Sequence, residues 1–170
     1  MLRNIFTSTL LVTILVVLVA GNMQAQSVTV NSTATVMTAL TIAKTDMAFG
    51  NVPASRAVVL DPKNAANAYV GSTAAVGTVT ITGANSTAVL ATWPATITLN
   101  GPASKTLTLT LAVNGNASSA NQATSTALTS GSAVTTSASG NYSMWVGGNM
   151  TTGTDLGAFT GTATFAVEYQ

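Results

Sequence analysis

The chain has 170 residues, 47% apolar and 5% charged, with no cysteine and no histidine. Four acids without an imidazole or thiol leave too little material for a transition-metal centre or a paired general acid and base, and a formal charge of +1 offers no basic face for nucleic acid. A single domain is expected, with no enzymatic activity, no cofactor and no metal.

Residues 1–25 hold one cation, Arg3, then an apolar stretch from Leu10 to Ala20 and a short polar segment. That order predicts a secretory signal peptide, cut after Ala25 or, alternatively, after Gly21. The stretch is shorter than the roughly 20 apolar residues of a spanning helix, so no membrane span is expected after cleavage. Loss of Arg3 leaves Lys44, Arg56, Lys63 and Lys105 against Asp46, Asp61, Asp155 and Glu168. A chain with no net charge does little to keep its copies apart, which favours self-association.

The remainder is rich in Thr, Val, Ala, Ser, Gly and Asn, a mixture suited to strands and turns. Alternation begins at once: Val28, Val30, Ala34, Val36, Leu40 and Ile42 fall on even positions, Thr29, Asn31, Thr33, Thr35 and Thr41 on odd ones. This ribbon is too long for one ordinary strand. Its weak middle, Ser32 to Ala34, divides it into an extension over residues 26–33 and a first strand running through about Ala43, which opens a domain over residues 34–170.

Val79 and Ile81 alternate with Thr78, Thr80 and Thr82. Ile97 and Leu99 then lead through the turn Asn100-Gly101-Pro102 into a strand lined by Leu107, Leu109, Leu111 and Val113, a hairpin whose Thr106, Thr108 and Thr110 should be solvated. Residues 114–139 are of low complexity and read mainly as loop, interrupted by a short strand near Ala127 and Leu128 because a long structureless loop is unusual inside a compact domain. Tyr142 to Val146 follows as a strand ended by Gly147 and Gly148. Last, Gly161, Ala163, Phe165, Val167 and Tyr169 share one face opposite Thr160, Thr162, Thr164, Ala166 and Glu168, so the chain is expected to finish inside a strand that something holds.

Seven to nine short strands with prolines between them predict an all-β fold, an immunoglobulin-like two-sheet sandwich. Aromatic residues are too few and scattered for the girdles of a membrane barrel. Trp93, Tyr142 and Trp145 are expected in the core rather than on a sugar-binding platform. The acids are spaced too widely for a calcium loop. Lys44, Lys63 and Lys105, the only bases available to a Ser or Thr nucleophile, stand in no recognisable motif.

Two stretches, from Thr33 to Val52 and from Val146 to Tyr169, resemble a secreted bacterial family named domain of unknown function 4402. Its features here are Phe49-Gly50, Gly147-Gly148 and Gly157-Ala158-Phe159-Thr160-Gly161, with Phe159 where Tyr is commoner. The C-terminus also resembles the subunits of chaperone-usher pili. Counted back from Gln170, Tyr169 is second, Val167 fourth, Phe165 sixth, Ala163 eighth and Gly157 fourteenth, the positions those subunits fill with their terminal pattern.

In such pili each subunit is a sandwich lacking one edge strand, which the N-terminal extension of the next subunit supplies. The resemblance implies a structural subunit of an extracellular filament whose sandwich is incomplete and completed by a donated strand. Val28 and Val30, with Ala34 or Val36 further along, would enter pockets bordered by Ala163, Phe165 and Val167. The implied partners are other copies of the chain and a periplasmic chaperone and usher. The chain departs from better-known pilins in lacking a disulfide and in the Ser- and Ala-containing middle of its extension. The alternative is a self-contained secreted adhesin or binding domain whose N-terminal ribbon pairs within its own sheet.

Overall fold

The structure is a computed structural model that describes residues 29–170. The expected signal peptide and Val28 lie outside the described residues. The chain divides into two units, Met1–Thr35 and Val36–Gln170. Of the first, residues 29–35 carry no strand. The second is an all-β sandwich of two sheets.

Ten strands are formed among the described residues: β1 (Thr41–Thr45), β2 (Ala57–Leu60), β3 (Gly77–Thr82), β4 (Ala88–Thr92), β5 (Thr96–Asn100), β6 (Thr106–Asn116), β7 (Thr126–Ala127), β8 (Ala133–Thr135), β9 (Asn141–Thr151) and β10 (Ala166–Tyr169). The larger sheet has the order β1-β3-β9-β6-β5, with β2 added to β9 and β7 to β6; the smaller has the order β10-β4-β8. Every pairing is antiparallel.

The eleven-residue strands β6 and β9 form the spine of the larger sheet, from Leu109 opposite Met150 to Asn116 opposite Ser143. β3 lies beside the first half of β9 and β2 beside the second. Glycine makes this crowding possible. A Cβ on Gly147 would lie 2.1 Å from the Leu60 carbonyl oxygen, and one on Gly148 would lie 2.3 Å from that of Thr110. The two glycines therefore do not end the strand, as the sequence suggested; they let it continue to Thr151 between close neighbours.

Alternation sets which face is buried. Val79 and Ile81 of β3, Met144 and Val146 of β9 and Val113 of β6 meet Val89 and Ala91 of β4 and Val134 of β8 in one core cluster between the sheets. A second cluster, Val58, Ile97, Leu99, Leu109 and Met150, belongs wholly to the larger sheet. Strands of three to five residues in the smaller sheet cannot roof an eleven-residue spine. Over the second cluster lie segments outside the strands instead, bringing Phe49, Val52, Phe159 and Ala163.

Several expectations are corrected. The first strand begins at Thr41, not Ala34, because its ladder stops where Thr41 meets Thr82 at the end of β3, and residues 36–39 carry no strand. The C-terminal strand is paired only from Ala166; before it, Thr160 bridges Asn100 of β5, so residues 161–165 cross from one sheet to the other. Strands β2, β4 and β8 were not anticipated, whereas β7 falls at the expected interruption of the low-complexity stretch.

Trp145 is buried at 5% exposure, yet its register with Thr78 and Asn114 puts it on the outer face of the larger sheet, away from both core clusters. Asn114 Nδ2 donates to the Ser125 carbonyl and Gln122 Nε2 to the Pro62 carbonyl, which folds two loops onto that face. Asp61 organises one of them, accepting from the backbone N–H groups of Lys63, Ala65 and Ala66. Desolvation pushes its carboxyl up, but these bonds and the Lys63 charge outweigh that and hold it below its ordinary value of 3.8.

Candidate functional site

Where the smaller sheet gives out, the sandwich is open along one side. A groove of about 910 Å³ lies between residues 44–54, which continue β1, and residues 155–163 with Phe165, which lead into β10. Its floor is the inner face of the larger sheet: Val79 and Val146, then Ile97, Leu99, Leu107, Leu109 and Met150. These are the alternate positions of β3, β9, β5 and β6, brought to one face by the period of two. Among the described residues β1 is an edge of the larger sheet and β10 an edge of the smaller; Lys44 and Thr45 of β1 line this groove, as does Phe165, the residue before β10.

The rims carry main-chain groups outside the ladders. On one rim Ala48 exchanges two hydrogen bonds with Ala75, and the Phe49 carbonyl accepts from Gly71 N–H. On the other, Thr160 is tied to Asn100, while residues 161–165 make no backbone hydrogen bond to another described residue. Extended backbone of this kind offers N–H and C=O groups to an added strand.

Charge is scarce and balanced here. Lys44 pairs with Asp46, and Asp155 lies 3.5 Å from Lys105 Nζ. The groove thus combines an apolar floor, unladdered backbone and neutralised rims.

The residues singled out from sequence fall in different places. Gly157, Ala163 and Phe165 line the groove. Val167 and Tyr169 lie on β10 and pack against the first core cluster, where Phe165 also stacks on Trp93 at 5.7 Å between ring centroids. Val30 and Val36 are 84% and 95% exposed, and Ala34 is exposed too. In the sequence Ile97, Leu99, Leu107 and Leu109 read only as positions of a hairpin, Met150 carries no signal of its own, and the rim aromatics Phe49 and Phe159 read only as motif residues. The available signal was that Phe49-Gly50 and Gly157-Ala158-Phe159-Thr160-Gly161 both interrupt strand patterns with an aromatic within two residues of glycine.

Those motif glycines have local reasons. Gly50 and Gly157 sit at φ +67° and +134°, where other residues are strained. Phe159 packs on Gly101, whose Cβ would lie 2.3 Å from the ring. One motif stands on each rim, and Gly147-Gly148 lies in the floor strand between Val146 and Met150.

A family model described as Domain of unknown function (DUF4402) matches residues 40–169. The chain belongs to this family. The DUF4402 match spans all ten strands and both rims of the groove. A comparison with curated proteins finds no match to this DUF4402 chain.

Proposed function

We propose that the protein is a structural subunit of an extracellular filament, in which the N-terminal segment of one copy lies as an added strand in the groove of the next. The observation that carries this reading is the apolar groove between the segment that continues β1 and the segment that leads into β10. Unladdered backbone beside an apolar groove is an aggregation hazard unless a partner covers it, and an added strand satisfies those backbone groups while its alternate side chains enter the groove.

The groove's rims are about ten residues long, roughly 33 Å of extended chain at 3.3 Å per residue. Residues 26–35 match that length, contain no ionisable side chain and alternate Val28, Val30, Ser32 and Ala34 against polar neighbours. A segment without charged side chains suits a groove whose charges are already paired. Direction also favours the reading. Thr41 meets Thr82 at one end of β3, while the groove begins at Lys44 and Gly77 at the other. Donation between such opposite ends is head-to-tail, which makes a filament where the rotation between successive copies does not close a ring.

Secretion by the signal peptide, capping of the groove by a chaperone before assembly, and adhesion by the finished fibre belong to the same proposal. The native chain has no cysteine, so engineered pairs report cleanly. Val30→Cys combined with Asp46→Cys or Ala163→Cys, one on each rim, should give a ladder of disulfide-linked multimers on a non-reducing gel. Single bands at monomer size for both pairs, with the thiols oxidised, would place the segment in its own subunit and reject the filament.

A further inference from the structure

The chain just before β1 is fastened to the C-terminal strand by one side chain. Tyr169 Oη accepts a hydrogen bond from Ala84 N–H at 2.6 Å and donates one to the Thr38 carbonyl at 2.6 Å. The phenol's one proton and a lone pair are thus both used. Gly83 makes room for this contact, because a Cβ there would lie 2.5 Å from Tyr169 Oη and 2.6 Å from Leu40 Cδ2. Leu40 and the Tyr169 ring pack on the first core cluster. Beyond this point the side chains are released: Met37 is 41% exposed and Val36 95%.

We infer that Tyr169 is a positioning residue whose hydroxyl fixes where, and in which direction, the N-terminal segment leaves the domain, so that the segment is presented to the groove of a second copy. This rests on the filament reading above. Ring and hydroxyl have separable tasks: the ring fills space over β4, while the hydroxyl holds a main-chain carbonyl that no other described group holds. Each residue freed ahead of β1 adds backbone entropy that docking must remove, and anchoring the root at Thr38 removes part of that cost in advance.

The test uses the full mature chain with Tyr169→Phe, which keeps the ring, and Gly83→Ala, whose methyl group displaces the hydroxyl from the opposite side. Val28→Asp with Val30→Asp serves as the control for donation. Amide exchange is followed at Leu40 and Ala84 in unassembled protein, and assembly by light scattering. Tyr169→Phe is expected to unfold cooperatively like the native chain, to exchange at Ala84 roughly two- to tenfold faster, the net worth of one hydrogen bond, and to assemble more slowly by a similar factor. Faster exchange with an unchanged assembly rate in both single variants overturns the positioning role, and the filament reading stands if the control still fails to assemble. Assembly of the control at the native rate removes the filament reading and this inference with it.

Discussion

Replacing both Val28 and Val30 by Asp separates assembly from folding. Val30 is 84% exposed in the single chain, so nearly all of its side-chain surface is available to be covered by a partner. A fully buried valine contributes about 1.5–3 kcal/mol, and the pair therefore about 3–6 kcal/mol. At 1.4 kcal/mol per factor of ten, association should weaken by about 10²- to 10⁴-fold, and by more if either carboxylate has to leave water on the apolar floor of Leu107, Leu109 and Met150. The mature double variant should remain in the supernatant after high-speed sedimentation, with no fibres in negative-stain images. Its thermal unfolding should stay within about 0.5 kcal/mol of the native domain, as expected for an exposed position outside the core. Fibres of native yield and native resistance to denaturant would refute the assignment of these valines to the groove.

Leu109 is fully buried at the centre of the second core cluster, and Leu109→Ala should cost about 2–5 kcal/mol in urea unfolding. Gly148→Ala would bring a methyl group against the Thr110 carbonyl and within 3.0 Å of Leu109 Cδ1; separation of β6 from β9 should appear as a large loss of midpoint, and native stability would contradict the close approach. Asp61 titrates below its ordinary value in the folded protein, so its stabilising contribution is present above the unfolded value near 3.9 and is lost as pH falls through the folded one. Asp61→Asn should accordingly flatten the decline of stability below about pH 4, measured by unfolding across that range; an unchanged slope would show that the loop bonds are not linked to folding.

Strands with a clean period of two and a long partner were legible in the sequence. β3, β5 and β6 alternate Thr with Val, Ile or Leu, and each pairs over five or more residues. What escaped notice was short. β2 reads as the unbroken apolar run Ala57–Leu60, and β8 holds only Val134 as a buried apolar residue within a polar stretch. Because β4 and β8 make up most of the smaller sheet, the second layer could be expected from the fold class but not located. Alternation over residues 34–39 was over-read, since a period of two describes a chain's capacity to pair and says nothing of whether a partner is present. The groove was legible only in part. Its rims come from distant segments, and its openness arises from a mismatch between a long spine and a short roof that no local pattern reveals.

The root at Thr38 and the groove beyond Gly77 stand at opposite ends of the same strands. Tension pulling those ends apart therefore runs along the strand axis and shears the β1–β3 and β3–β9 ladders as whole rows, with no single bond at a peeling tip to fail first. Copies joined through these two places, as proposed above, would resist stretching through the length of the domain, and the same ladders pulled sideways from β1 would unzip at far lower force.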